Sequence, residues 1–386
     1  MNNKTTKICL NAMVANEART ITRMLDSCYK HIDYWVIQDN GSKDGTQDII
    51  REYFQEKGIP GFLYETEWQY PGFNRDHALQ TCLKADHGCD WILRMDADER
   101  LEVDEDFDWE VFNDTTVSSW NIIVHSFDTK YFRTWMWNSR LPWFFAHDKR
   151  HETIHLPGLG EEFQRITLPE GFRHIVTNDG QTWFAPRKFL KDALELESDK
   201  VVGNTLNDDM YHFWYVAKSY ADCYGKPEEL PLGKVHSDEY ARRAIFYFEQ
   251  WLIINHNYYE TGIPARVDEM GYLTFILMGD AYRFMGNLEK SESMYRQAEP
   301  FAPGRNEHLL YLIHLLEEQN RLEEAIELTE IALIPERTNP FPGYCFLIEN
   351  RAYHDSSTYL IETRDRMKKR IDEPVMSNKS VVFDFK

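Results

Sequence analysis

Trp91-Ile92-Leu93-Arg94-Met95-Asp96-Ala97-Asp98-Glu99 decides the architecture of this chain. The apolar run Trp91 to Leu93 reads as a buried strand, and it ends in three carboxylates, Asp96, Asp98 and Glu99. A strand that runs into acids delivers them to the rim of a sheet, where open α/β folds place their ligands. Residues spaced by two point the same way along an extended chain, so Asp96 and Asp98 can converge on one point. Two like charges held together are costly unless a cation sits between them, and hard divalent cations take oxygen ligands. Taken alone, the same acids read as a solvated turn, and the neighbouring segments decide. Glu99 has no evident task and is expected to be solvated or salt-bridged.

Upstream, short apolar runs alternate with helical patterns. Lys7 to Val14 reads as a first strand, followed by a helix over Asn16 to His31 with Ile21, Met24, Leu25 and Cys28 on one face. Tyr34 to Asp39 is a second strand that also ends in an acid. Asn40-Gly41-Ser42-Lys43-Asp44-Gly45 is turn chemistry. A helix over Thr46 to Gln55, a strand over Gly61 to Glu65, a helix over Asn74 to Ala85 and the strand Trp91 to Met95 complete the run. Such alternation implies a parallel sheet with right-handed crossovers. Beyond Glu105 the pattern loosens. Trp120 to Val124 and Phe172 to Val176 look like strands, and the aromatic, basic stretch Tyr131 to His155 between them looks like a loop-rich lid.

From about Pro186 the chain turns helical and repeats. Gly286-Asn287-Leu288-Glu289 aligns with Asn320-Arg321-Leu322-Glu323, and at the same spacing Ser291, Tyr295 and Ala298 meet Ala325, Thr329 and Ala332. This resembles a tetratricopeptide repeat, whose period is about 34 residues. A unit around Trp214 to Trp251, with an insertion at Lys226 to Asp238, looks similar. The expected division is an α/β domain over residues 1–185 and an all-α helical-repeat domain over residues 186–386, long enough for two cores.

The net charge of −21 argues against broad nucleic-acid binding and against docking on an anionic membrane. Arg140 with Lys149-Arg150 is the best local basic patch. The six cysteines contain no Cys-x-x-Cys pair, so free, buried thiols in a reducing compartment are expected and a zinc site is not. No signal peptide or membrane-spanning run is evident, and a soluble, cytoplasmic protein is the expectation.

The ordered set formed by Asn16-Glu17 after the first strand, Gln38-Asp39-Asn40-Gly41-Ser42-Lys43-Asp44-Gly45-Thr46, and Asp96-Ala97-Asp98 resembles an inverting family 2 glycosyltransferase of the GT-A fold, over Lys7 to Gly180. Gln38 and Asn40 depart from that family's Asp-Asp-Gly-Ser-x-Asp-x-Thr signature. With the helical repeats, the chain resembles the subgroup that carries tetratricopeptide-like domains. The resemblance implies a nucleotide-diphosphate sugar donor and an acceptor hydroxyl on a glycan, a lipid-linked sugar, a protein or a modified nucleobase. It also implies Mn²⁺ or Mg²⁺ held by Asp96 and Asp98. His174 falls where a third, histidine ligand often lies, with His151 and His155 as rivals.

Asp39 is placed to accept hydrogen bonds from base or ribose, or to cap its own turn. Backbone around Ala12 to Ala15 would line the base. Asn16 can bond the nucleotide, N-cap the first helix, or do both. Arg75 and Arg94 either reach phosphate or form salt bridges. Asp96 would serve the donor as well as the metal. By resemblance Glu152, in Arg150-His151-Glu152, is the general base, with Glu161, Glu162 and Asp148 behind it. Pro142 replaces an apolar residue expected in the strand before that pair. The Trp-rich lid suits sugar rings or a domain seal, and the repeats suit an acceptor, a partner or a homo-oligomer. Two rival readings remain. A nucleotidyltransferase would open with a glycine-rich phosphate loop, which Ala12 to Glu17 lacks, and a non-catalytic repeat protein would have no need of the Asp96/Asp98 pair.

Overall fold

The computed structural model describes residues 5–114, 116–126, 129–145, 154–157, 164–169, 171–177, 179, 187–198, 206–224, 234–259, 266–334 and 356–372. These fall into two compact units, one up to Ile254 and one beyond it.

The first unit is built on a mixed sheet. Strands β1 (Ile8–Val14), β2 (Tyr34–Asp39), β3 (Gly61–Glu65) and β4 (Trp91–Met95) are parallel, in the order β3-β2-β1-β4. Helices α1 (Ile21–Cys28), α2 (Thr46–Lys57) and α3 (Pro71–Lys84) make the crossovers. The expected strand–helix alternation is therefore present. β1 is buried along nearly its whole length, as a strand covered on both faces must be. Each fully buried aliphatic side chain, such as Ile8, Leu10, Ile37 or Leu93, contributes about 1.5–3 kcal/mol.

One expectation fails here. The first helix starts at Ile21 rather than Asn16, because Asn16 takes a left-handed conformation (φ 58°) that no helix can begin through. Beyond the acids the sheet goes on, and the strands expected at Trp120 to Val124 and Phe172 to Val176 lie within it. It continues through β5 (Glu99–Val103), β6 (Val117–Ser126), β7 (Thr129–Asn138), β10 (Gln164–Thr167) and β11 (Phe172–Val176). β7 inserts antiparallel between β4 and β6, β11 lies between β6 and β5, and β10 pairs with β6.

The aromatic stretch is accordingly not a lid where it is described. Trp135, Met136 and Trp137 are buried on β7, and Trp143 and Phe145 are buried beside it. A strand hydrogen-bonded on both edges and covered on both faces needs apolar residues at consecutive positions. Beside these buried rings, Phe144 is exposed. It lies on β8 (Phe144–Phe145), which pairs with β9 (Ile154–His155), so a short strand forms despite Pro142. Arg140 is paired with Asp90.

The remaining helices of the first unit are α4 (Lys188–Ser198), α5 (Leu206–Tyr224) and α6 (Lys234–Tyr259), which crosses into the second unit. The last strand among the described residues ends at Val176, whereas the compact units divide at Ile254.

The second unit contains α7 (Arg266–Phe284), α8 (Leu288–Ala298), α9 (Glu307–Glu318), α10 (Leu322–Ala332) and α11 (Ser356–Asp372). The ends of α7 and α9, at Phe284 and Glu318, stand one repeat apart. So do the starts of α8 and α10, at Leu288 and Leu322, and their ends, at Ala298 and Ala332. Gly286 (φ 80°) and Asn320 (φ 57°) take left-handed turns at equivalent places before the second helix of each hairpin. Among the described residues no helix is long and apolar enough to cross a membrane.

Candidate functional site

The parallel strands bring their C-terminal ends to one edge. Val14 is in register with Asp39, and Ala12 with Met95, the residue before Asp96. Ala12 itself is buried in mid-sheet, and the chain reaches the edge from Val14 onward.

Asp39 serves its own turn and keeps an atom to spare. Its Oδ2 accepts from the amides of Gly41 (3.0 Å) and Ser42 (2.9 Å) and from Gln47 Nε2 (2.8 Å). Its Oδ1 is buried and has no hydrogen-bond partner among the described residues. The next loop is clasped to the one after β1. The Asn16 amide donates to Ser42 Oγ (2.8 Å) and Asn16 Oδ1 accepts from the Lys43 amide (2.9 Å). The Glu17 amide donates to Thr46 Oγ1 (2.8 Å), and the Ala18 amide to Asp44 (3.0 Å). Asn16 thus ties two loops together rather than capping α1. Gly45 (φ 93°) adopts the left-handed turn that starts α2.

The two signature departures have structural work. Gln38 is fully buried; its Nε2 donates to the Asn74 carbonyl (3.0 Å), its Oε1 accepts from Tyr64 Oη (2.8 Å), and His77 Nδ1 lies 2.8 Å from that oxygen. It joins β2 to β3 and α3, as a neutral amide can and a buried carboxylate could not without a cation. Asn40 Nδ2 donates to the Thr66 carbonyl (3.2 Å).

At the end of β4 the two acids differ sharply. Asp96 Oδ1 receives Arg75 Nη1 at 2.8 Å, and Asp96 Oδ2 receives Arg94 Nη2 at 3.0 Å. Burial would raise its pKa, but the two guanidiniums overcome that and hold the carboxyl well below the usual range. Arg94 and Arg133 also stack on Trp135, 4.8 and 4.3 Å from its ring centroid. Asp98 has no cation within ion-pair distance among the described residues. Burial, then its neighbours Asp96, Glu99 and Glu17, push its pKa up to about 6.

Several contributors escape the sequence. Glu99 is buried and takes the salt-bridged rather than the solvated of its two expected roles. Its Oε2 accepts from the Asp96 amide (2.9 Å), and Arg133 lies 3.9 Å from its other oxygen. His174 Nδ1 lies 3.7 Å from Glu99 Oε2, and its ring packs on Trp135 with centroids 5.3 Å apart. Both His174 nitrogens are buried without hydrogen-bond partners among the described residues. The ligand atoms of Asp96, Asp98 and His174 do not gather within 4.8 Å of one another. Thr177 pins the Asp98 carbonyl through its amide (3.1 Å) and hydroxyl (2.8 Å), and Arg23 on α1 holds Thr177 Oγ1 (2.8 Å) and Asp179 (2.6 Å). His155 stacks on Phe144. Glu152, His151, Glu161, Glu162, Asp148, Lys149 and Arg150 lie outside the described residues.

A mixed α/β sheet whose parallel strands carry a clasped acidic turn after β2 and an acid pair after β4 is the arrangement of a GT-A fold, followed here by helices. Residues 13–155 match the family described as "Glycosyl transferase family 2". Among solved structures, that of S. aureus TarS is similar at 16% identity over 75% of this chain and 55% of that chain, with a TM-score of 0.38. The chain thus spans little more than half the length of that structure. S. aureus TarS 1–349 in complex with UDP-GlcNAc is similar at 15% identity over 75% of this chain and 92% of that one, with a TM-score of 0.34. No curated protein matches the chain.

Proposed function

We propose that the protein is a metal-dependent, inverting glycosyltransferase that moves a sugar from a nucleotide-diphosphate donor to an acceptor hydroxyl. The observation that carries this reading is the unequal acid pair after β4: Asp96 is neutralised by Arg75 and Arg94, while Asp98 is left with uncompensated charge. That all-oxygen donor set fits a hard cation, and Asp98 with Asp96 would hold Mn²⁺ or Mg²⁺. Such an ion, when bound, offsets charge on the departing nucleotide diphosphate. His174, the third ligand implied by resemblance, faces Glu99 instead, so we assign the ion to the aspartates.

The chain's own residues supply the rest. Asp39 Oδ1 accepts a hydrogen bond from base or ribose, and its buried, unsatisfied state makes that bond worth about 1–3 kcal/mol. Arg75 and Arg94 keep Asp96 ionised and place positive charge where a diphosphate arrives. Glu152 takes the proton from the acceptor hydroxyl as general base. The repeated hairpins act as tetratricopeptide-like units toward the acceptor or a second copy. That acceptor is a hydroxyl of a glycan, a lipid-linked sugar, a protein or a modified nucleobase.

A panel of nucleoside-diphosphate sugars, each with Mn²⁺, Mg²⁺ or chelator, tests this by thermal shift and slow hydrolysis. One donor class is expected to stabilise the protein only with metal. Asp98→Ala should stay folded and lose both responses. Glu152→Gln should keep donor stabilisation but lose about 10²–10⁴-fold in transfer rate. Undiminished transfer by a folded Asp98→Ala protein would sink the proposal, and silence from every donor would favour a non-catalytic repeat protein.

A further inference from the structure

The first unit gathers three cysteines and a histidine far from the acid pair. Cys9 lies on β1, Cys82 on α3, and His87 and Cys89 in the turn between α3 and β4. The three thiols are buried, and His87 is part-exposed at the rim. Cys9 Sγ and Cys82 Sγ are 3.5 Å apart, and Cys89 follows His87 two residues on in the same turn. One donor atom from each of Cys9, Cys82 and His87 lies within 4.8 Å of the other two, the one such group among the described residues. The turn is preset for this. Gly88 takes φ 57°, and the Cys89 amide then donates to His87 Nδ1 at 2.9 Å, which orients the ring.

We infer that Cys9, Cys82 and His87 form the core of a structural site for a thiolate-preferring divalent ion, zinc, which Cys89 in the same turn as His87 would complete as fourth ligand. Tetrahedral zinc with Zn–S bonds of about 2.3 Å puts its sulfurs about 3.8 Å apart, close to the Cys9–Cys82 separation. A disulfide would need about 2.05 Å. Packed thiols alone would account for small apolar fillers, but not for an imidazole brought in among them from a turn of fixed geometry. The four donors come from a strand, a helix and a loop, so the ion would staple β1, α3 and β4 together. Cys9 is in register with Ile92, four residues before Asp96, so the site lies about 13 Å down the sheet from the acid edge. Its ion is therefore distinct from any held by Asp98, and sulfur ligands select a different metal from carboxylates. The absence of a Cys-x-x-Cys pair hid it, because Cys9 is 73 residues from Cys82.

The full-length protein, made without a metal-affinity tag in zinc-supplemented medium, should carry one zinc per chain by elemental analysis. Chelation should lower its melting temperature, and Mg²⁺ should not restore it. Cys82→Ser and His87→Gln should each cut zinc content at least tenfold. Cys28→Ser, a buried thiol elsewhere, and Asp98→Asn should keep it. Because Cys82→Ser could fail to fold, wild-type protein stripped and reloaded with Co²⁺ provides a second readout, a thiolate-to-cobalt absorption band. Absence of zinc with no cobalt band, zinc content unchanged in both cluster variants, or a Cys9–Cys82 disulfide in freshly isolated protein overturns the inference.

Discussion

At the scale of single residues the site turns on Asp98. Its carboxyl is raised to about 6 by burial and by Asp96, Glu99 and Glu17, against about 3.9 in an unfolded chain. Without a cation, the folded state holds the proton more tightly than the unfolded one. Stability therefore falls as pH rises from about 4 to 6, and the deficit persists above that window. After discounting for partial solvent access, the deficit is about 1–2 kcal/mol. Asp98→Asn should thus melt several degrees higher than wild type at pH 7 and alike at about pH 3.5, below the unfolded pKa. Mn²⁺ should stabilise wild type at pH 7, lose its effect as pH falls through 6, and leave Asp98→Asn unmoved. Equal melting of the two proteins at pH 7 without metal would remove the argument. Asp39, Asp96 and Asp98 were legible because each stands where an apolar strand ends. Glu99, Arg133 and Gln38 were not, since their partners lie on β7, β11 and α3, and spacing within one segment does not reveal who faces it.

At the scale of elements, the alternation up to β4 was readable because each parallel strand is an apolar run bounded by turn residues. Beyond it the strands at Trp120 to Val124 and Phe172 to Val176 were readable too, but β7 was not. β7 carries Trp135, Met136 and Trp137 in succession, which shows no period of two, and only its insertion between β4 and β6 explains such a run. Close backbone approach is likewise invisible in sequence. Gly61 pairs with Trp35, and a Cβ built there would lie 2.2 Å from the Trp35 carbonyl oxygen and 2.4 Å from its indole. That indole cannot give way, since it stacks on Phe54 at 4.3 Å and donates to the Ile59 carbonyl at 3.0 Å. Gly61→Ala should cost about 3 kcal/mol or more in chemical denaturation. Gly58→Ala, three residues away at φ 67° in open space, should cost only about 1 kcal/mol of backbone strain. Similar losses in the two proteins would mean that β3 shifts to relieve the clash.

For the whole molecule, the helical repeat was legible from Leu288 and Leu322, while the division at Ile254 was not, because α6 runs through it without a break in its pattern. The repeat also hides a substitution of bulk. Gly279 on α7 lies against the ring of buried Tyr295 on α8, and the equivalent positions of the next hairpin hold Ile313 and Thr329, both buried. Volume has moved from one helix of the hairpin to the other. In an exposed helix, Gly→Ala stabilises by about 1 kcal/mol through propensity. At Gly279 the new methyl would sit 2.5 Å from the Tyr295 ring, and overpacking of about 1–3 kcal/mol or more opposes that gain. Gly279→Ala should therefore destabilise, the reverse of the propensity rule, and Gly279→Ala with Tyr295→Thr should recover part of the loss. Amide hydrogen exchange is the measurement, since it reads each unit by itself. Protection should fall in α7 to α10 and hold in β1 to β4. A gain in stability for the single variant would show that the hairpin opens to admit the methyl, and an equal fall in both sets of amides would show that the two units unfold as one.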